Sequence, residues 1–141
     1  MRYKSSRRNR QVEDILQIQC AAFLWRFTDL EWYHPSPNVY RSALALFAPP
    51  AYCQKVGAEG KKKGVRAGVP DIFIMDTPPR YPEKKGVYIE LKTKKGSLSD
   101  AQKEFRFAAE SRGYLFFVVR ESTEELQEIL EDCGYKLKIK S

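Results

Sequence analysis

Hydrophobic residues near the start of the chain follow a helical pattern. Spacings near 3.6 residues place five of them on one apolar stripe: Val12, Ile15, Leu16, Phe23 and Phe27. This stripe predicts a helix from about 12 to 27. Weaker helical patterns cover 41–47, which ends before two prolines, and 52–63, which ends before a glycine.

Two short apolar runs in the middle of the chain predict the central strands. They read Asp-Ile-Phe-Ile-Met-Asp over 71–76 and Val-Tyr-Ile-Glu-Leu-Lys over 87–92. The polar, proline-rich segment 77–86 connects them, and two strands joined in this way most simply form an antiparallel hairpin. A short aromatic run over 30–34 is a further predicted strand.

Local signals mark both ends of the next helix. Ser99 is a suitable N-cap, and Gln102, three residues later, completes a capping box. Gly113 provides the C-terminal stop, and the apolar run 115–119 predicts another strand.

The C-terminal segment adds a helix and an edge strand. Ser122 or Thr123 caps this helix, which Gly134 ends, and 135–139 alternates apolar residues with lysine as an edge strand does. The predicted architecture is therefore an α/β fold with an α-β-β-β-α-β core, followed by the extra helix and strand.

Basic residues outnumber acidic ones, with 25 Lys and Arg against 18 Asp and Glu and a formal net charge of +7. Such an excess favours polyanions, because each contacted phosphate releases condensed counterions. A soluble basic protein without such a partner is the alternative. Residues 1–10 are a basic tail that either contacts nucleic acid or is flexible and solvated, and 11–141 have the length of a single domain.

The cysteines argue against two kinds of structural site. Cys20, Cys53 and Cys133 are widely spaced, and no CxxC motif or Cys/His cluster accompanies the single histidine, His34. A structural zinc site and a disulfide framework are therefore disfavoured, and reduced thiols are expected. Because neither a signal-peptide-like run nor a membrane-spanning stretch occurs, a cytoplasmic location without a membrane partner is the expectation.

Charged residues on the central strands supply the candidate chemistry. Strand alternation puts Tyr88, Glu90 and Lys92 on one face. Symmetric pairing of the hairpin places Asp71 opposite Lys92, with Glu90 as a diagonal neighbour roughly 7–8 Å away. Two converging carboxylates suit a hard divalent ion such as Mg²⁺, and an adjacent lysine stabilises developing negative charge, as phosphodiester hydrolysis requires. The alternative is a solvated strand face with a weak ion pair.

Three segments give the sequence a resemblance to a known family. Gly64-Val-Arg-Ala-Gly-Val-Pro-Asp71, Glu90-Leu-Lys92 and Gly96-Ser-Leu-Ser-Asp-Ala-Gln102 resemble the VRR-NUC branch of the PD-(D/E)XK nucleases. The resemblance implies a restriction-endonuclease-like fold, with a mixed central sheet flanked by helices. It also implies a Mg²⁺-dependent DNA endonuclease, for which Mn²⁺ substitutes. Small virus-type members of the family imply a homodimer that cuts branched DNA such as Holliday junctions.

The same resemblance implies catalytic residues and metal ligands. The catalytic residues are Glu13, Asp71, Glu90, Lys92 and Gln102. The metal ligands are Asp71, Glu90 and the main-chain carbonyl of Leu91, with Glu13 acting directly or through water. Asp14 is the alternative to Glu13, and Gln102 has the alternative role of a reciprocal capping bond to Ser99.

Basic residues around the site are the predicted DNA contacts: Arg66, Lys94, Lys95, Lys103 and Arg106. A solvated charged surface, or an ion pair for Arg66, is the alternative. The segment from His34 to Asn38 resembles the family's His-x-x-Asn element but has one extra residue and two prolines. We therefore assign it a structural or DNA-facing role. The competing functions are a general flap, repair or restriction-like nuclease and a non-catalytic basic nucleic-acid-binding module.

Overall fold

The computed structural model describes residues 2–35 and 48–139, with 2–8 described by their backbone alone. The elements in chain order are α1 (Arg2–Phe27), β1 (Trp32–Tyr33), α2 (Pro50–Lys62), β2 (Ile72–Ile74), β3 (Val87–Leu91), α3 (Asp100–Ser111), β4 (Leu115–Val119) and α4 (Thr123–Asp132). No helix in these described ranges has both the length and the apolar character needed to cross a membrane. The helix predicted over 41–47 and the residue Asn38 lie outside the described residues.

The strands of the described residues form one mixed sheet in the order β1-β2-β3-β4. The β1–β2 and β2–β3 pairs are antiparallel. β3 and β4 pair in parallel, because α3 returns the chain to the end of the sheet at which β3 begins. This arrangement confirms the predicted α/β class, the central hairpin and the short aromatic strand before it.

The register of the β2–β3 hairpin differs by two residues from the symmetric pairing. Ile72 pairs with Ile89, so that Asp71 lies level with Glu90 rather than with Lys92. The long connection between the strands permits this shift, because it folds into separate turns outside the sheet. A shift by two residues leaves each side chain on its original face, so the shared face of Asp71 and Glu90 is unchanged.

One face of the sheet packs against α1 and α4 to form the hydrophobic core. Its buried side chains include residues of both helices and of three strands, together with Cys133 directly after α4: Leu16, Cys20, Leu24, Ile72, Ile74, Val87, Ile89, Leu91, Val119, Leu126, Leu130 and Cys133. The stripe predicted on α1 is only partly correct, since Val12 and Ile15 are 45% and 56% exposed whereas Cys20 and Leu24 are buried. α1 also begins at Arg2, so the helix extends through the basic segment.

α3 packs on the opposite face of the sheet, where it contacts Tyr88 and Glu90, which alternate with core residues of β3. The predicted capping box is present. The Ser99 hydroxyl accepts from the Gln102 amide at 3.2 Å, and the Gln102 side chain accepts from the Ser99 amide at 2.8 Å. Gly113 follows the helix with a φ of +89°, which confirms the predicted glycine stop.

The C-terminal segment differs from its prediction in one respect. α4 is present, as expected, but the edge strand expected over 135–139 is not formed. The Tyr135 hydroxyl donates to the main-chain oxygen of Asp76 at 2.6 Å, and the amide of Lys138 donates to Phe27 O at 2.8 Å. The segment is therefore held by the end of α1 and by the residues after β2, without a ladder to a neighbouring strand.

Candidate active site

Five predicted site residues from different elements meet at one end of the sheet. Glu13 lies on α1, Gln102 lies in the first turn of α3, and Asp71 directly precedes β2. Glu90 lies near the end of β3, and Lys92 follows the last residue of that strand. Interactions of charge or hydrogen bonding link each residue to at least one other member. The structure thus brings together all five residues that were predicted to form the site.

We call these five residues the carboxylate cluster. Glu90 is its most buried member, with a relative exposure of 2%. Its Oε1 accepts from Gln102 Nε2 at 3.0 Å and lies 3.9 Å from Lys92 Nζ. Its Oε2 is buried and has no hydrogen-bond donor in the described part of the chain. Burial, followed by the nearby negative charge of Asp71, raises the pKa of Glu90 to about 9. A carboxylate in this position is costly unless a cation or a proton joins it.

Asp71 is the second carboxyl group of the cluster. Burial raises its pKa, although the amide of Leu91, which donates to Oδ2 at 2.8 Å, favours the ionised form. Because burial raises the pKa of both groups, the pair retains a proton when no cation is bound.

Gln102 holds both of the roles that the sequence leaves open. Its Oε1 accepts from the Ser99 amide at 2.8 Å, which closes the capping box, while its Nε2 donates to Glu90 at 3.0 Å. An amide side chain has one acceptor group and one donor group, so a single conformation serves both partners. The start of α3 is therefore joined directly to the carboxylate cluster.

Glu13 is the acidic residue that α1 directs towards the site. Burial raises its pKa, whereas the positive charge of Lys92 lowers it and the charge of Asp71 raises it. Asp14, the alternative acidic residue, is exposed. One turn later on the same helix, Gln17 has a buried Oε1 without a hydrogen-bond donor among the described residues. The geometry favours Glu13 over Asp14 as the third carboxylate.

The donor atoms of the cluster suit a hard divalent cation. Asp71 and Glu90 bring two carboxylates together, and the unsatisfied Glu90 Oε2 is an atom that a cation would complete. Within the described ranges, no group of three His, Cys, Asp or Glu side chains is arranged to hold a metal ion. The remaining ligands would be a main-chain oxygen and water. Mg²⁺ in proteins is usually bound by one or two carboxylates and keeps several water ligands. The assignments of the Leu91 carbonyl and of Glu13 stay predictions.

His34 contacts the site through the backbone of Asp71. Its Nδ1 donates to the main-chain oxygen of Asp71, and its Nε2 is buried without a partner among the described residues. This contact ties the end of β1 to the start of β2 and so positions Asp71, which agrees with the structural role predicted for His34. The sequence contains no signal for this particular contact, because it joins residues far apart in the chain.

Arg66 lies in the glycine-rich loop before β2, beside α3. Its guanidinium carbon is 5.0 Å from the centre of the Phe105 ring, a cation–π arrangement. Gly68 has a φ of +82°, and a Cβ atom there would lie 2.4 Å from the main-chain oxygen of Ala101. The loop therefore packs closely on the first turn of α3. Arg66 makes no ion pair among the described residues, and its phosphate contact stays a prediction.

The other predicted DNA contacts form an exposed basic rim. Lys94 pairs with Glu121 at 3.4 Å and Arg106 with Glu110 at 2.6 Å, both on the surface. Two further members of the rim are also exposed: Lys95 and Lys103. Exposed ion pairs contribute little energy, so the pairing of Lys94 and Arg106 does not prevent a phosphate from competing for them.

Arg120 is a site-supporting residue that the sequence reasoning missed. Its Nη1 donates to the main-chain oxygens of Thr93, at 3.4 Å, and Gly96. These two carbonyls belong to the loop that begins directly after Lys92, so the guanidinium fixes the path of the chain there. Arginine at a strand end carries no local pattern that would have predicted this contact.

Comparisons with known proteins give matches of two kinds. The sequence model of the VRR-NUC domain matches residues 11–123, a span that contains all five cluster residues. A comparison with curated proteins gives no match. Among solved structures, a VRR-NUC domain protein is similar, with 24% sequence identity and a TM-score of 0.47 over 60% of this chain and 69% of that one.

Proposed function

Since the chain belongs to the VRR-NUC family of nuclease domains, we propose that it is a Mg²⁺-dependent DNA endonuclease that hydrolyses phosphodiester bonds at the carboxylate cluster. The observation that carries the proposal is the buried Asp71–Glu90 pair, in which Glu90 Oε2 has no donor among the described residues. A structural ion pair would satisfy such an atom, whereas a metal site leaves it to the cation.

Each cluster residue has a definite part in this proposal. Asp71, Glu90 and the Leu91 carbonyl would hold Mg²⁺, with Glu13 as a ligand directly or through water. When bound, the ion would lower the pKa of a coordinated water and stabilise charge on the phosphate. Lys92, whose Nζ lies 3.9 Å from Glu90 Oε1, would orient that water or stabilise the developing negative charge.

Gln102 acts on this chemistry through Glu90. By donating to Oε1 it would hold the carboxylate in one orientation and leave Oε2 available to a cation. It is a positioning residue, comparable to the groups that orient metal ligands in other proteins.

The proposed substrate is branched DNA of the Holliday-junction type, cut by a homodimer. The family resemblance supports this choice, and a twofold dimer would present two sites to two strands of one junction. The net charge of +7 supports a nucleic-acid substrate, because phosphate contacts provide most of the affinity for DNA.

The test measures cleavage and binding separately. Labelled four-way junction, flap, splayed and linear duplex DNAs are incubated with protein in Mg²⁺, Mn²⁺ or EDTA, and binding is measured by anisotropy in EDTA. We expect metal-dependent cutting of the branched DNAs that Asp71→Ala or Lys92→Ala abolishes without loss of binding. Asp132→Ala and Lys136→Ala, at exposed positions on or after α4, are matched controls that retain cutting.

Two results would replace the proposal. Binding without cleavage in either metal would identify a non-catalytic nucleic-acid-binding module. Cutting of linear duplex as fast as junction DNA would identify a general nuclease instead of a branch-selective one.

A further inference from the structure

A row of aromatic rings crosses the sheet on the face that carries Glu90. Tyr33, Phe73 and Tyr88 are aligned in register across β1, β2 and β3, and therefore lie on one face. Ring centroids are 5.8 Å apart for Tyr33 and Phe73, and 4.5 Å apart for Phe73 and Tyr88. Tyr114 and Phe105 extend the row, at 5.5 Å and 5.0 Å from Tyr88. We call these five residues the aromatic face.

The aromatic face is separate from the hydrophobic core. The core lies on the other side of the sheet, against α1 and α4. Phe105 of α3 covers one end of the row, but Tyr33 at the other end is 50% exposed, and Phe73 and Tyr88 are half-buried.

Positive charge flanks this surface. Arg66 lies 5.0 Å from the Phe105 ring, and the ammonium group of Lys85 lies 5.9 Å from the Tyr114 ring. Rings bordered by cations match the chemistry of a single-stranded nucleic acid, whose bases stack on aromatic side chains while its phosphates meet basic groups.

The surface is also continuous with the carboxylate cluster. Tyr88 and Glu90 are two residues apart on one face of β3, which separates their backbone positions by about 7 Å. Bases stacked on Tyr88 and Phe73 would therefore belong to nucleotides close to a phosphate at the cluster.

We propose that the aromatic face binds the unpaired bases of a single-stranded DNA segment next to the phosphate to be cut. This inference rests on the proposed nuclease function and adds a requirement to its branched substrate. Near the phosphate to be cut, the bases must be unpaired, either in a single-stranded arm or at an opened branch point, because paired bases are not available for stacking on protein rings.

The test measures the affinity of the protein for three DNAs: oligo(dT), an abasic strand of equal length, and duplex DNA. Binding is measured in EDTA, where no cleavage occurs. We expect Tyr33→Ala to weaken oligo(dT) binding about fivefold to tenfold, with duplex affinity changed less than twofold. Tyr33→Phe keeps the ring and should retain binding. Tyr52→Ala is the matched control, because Tyr52 is 52% exposed on α2, outside the aromatic face.

The abasic strand tests the same idea without any substitution. It carries the phosphates but no bases, so the unmodified protein should bind it about tenfold more weakly than oligo(dT). Equal binding of both strands, or an unchanged oligo(dT) affinity of Tyr33→Ala, would overturn the inference. Because these measurements need no metal, a protein that shows base-dependent binding but cuts nothing would refute the nuclease proposal and leave the stacking surface intact.

Discussion

Replacing Glu90 by glutamine should stabilise the metal-free protein while abolishing its activity. Glu90 is 2% exposed, its Oε2 has no donor among the described residues, and burial raises its pKa from 4.5 to about 9. A neutral amide of the same shape keeps the acceptor for Gln102 and provides an N–H that can donate to Asp71. The substitution therefore removes a costly ionisable group without leaving a cavity.

The expected magnitude follows from proton linkage. At pH 7.5 the folded protein retains a proton on Glu90 that the unfolded chain releases at its ordinary pKa of 4.5. Holding that proton over three pH units costs about 4 kcal/mol at most, so we expect a gain of roughly 2–4 kcal/mol in the free energy of unfolding. Because the pKa of Glu90 is raised in the folded state, its cost to the free energy of unfolding is absent below about pH 4.5 and increases with pH up to about pH 9.

Urea denaturation in EDTA at pH 5 and pH 8 measures this effect. Glu90→Gln should exceed the unmodified protein in stability at pH 8, and the difference should nearly vanish at pH 5. Glu128→Gln, at an exposed position of α4, is the control and should change stability little at either pH. Mg²⁺ should stabilise the unmodified protein more than Glu90→Gln, because the amide lacks one of the negative charges proposed to hold the cation. A variant that is equally or less stable than the unmodified protein at pH 8 would show that Glu90 carries no burial penalty.

Substitutions of Gln102, Gly68 and Arg120 test the supports of the site. Gln102→Ala removes the capping bond and the donor to Glu90, and should lower stability by about 1–2 kcal/mol and reduce cleavage. Gln102→Glu keeps the cap acceptor but loses the donor to Glu90, so it should recover more of the stability than of the cleavage. Gly68→Ala places Cβ 2.4 Å from a main-chain oxygen and should cost several times more than Gly64→Ala, which shares the positive φ but meets open space, as thermal unfolding can show. Arg120→Met loses the bonds to two loop carbonyls and should lower kcat more than it weakens DNA binding, measured by single-turnover cleavage and by anisotropy.

The parts of the site that the sequence predicts correctly rest on local rules. The capping box of α3 depends on residues three apart, so Ser99 and Gln102 could be identified without the fold. Strand alternation likewise places Glu90 opposite the core whatever the partner strand is. On α1, helical spacing alone did not identify the buried face correctly, because residues three and four positions apart can lie on neighbouring faces. It assigned Val12 and Ile15 to the buried stripe, although both are exposed.

The parts that could not be predicted are contacts between distant segments. His34 reaches the backbone of Asp71, and Arg120 reaches the loop after β3, although neither residue belongs to a local pattern. The alternation over 135–139 predicted an edge strand, but forming a strand requires a partner ladder, and the chain there is bonded to α1 and to the segment after β2. The hydrophobic pattern of a segment predicts its secondary structure, but the segments that it contacts depend on the fold of the whole chain.

The two-residue register shift of the hairpin links the candidate site to the aromatic face. Symmetric pairing would set Phe73 against Glu90, a ring against a carboxylate. The observed register pairs Phe73 with Tyr88 and brings Asp71 level with Glu90. Aromatic cross-strand pairs stabilise a sheet, and their gain helps to offset the cost of placing two carboxyl groups side by side. The register that forms the row of rings therefore also brings together Asp71 and Glu90, the pair proposed to bind the cation, so a variant that shifts the register should lose both.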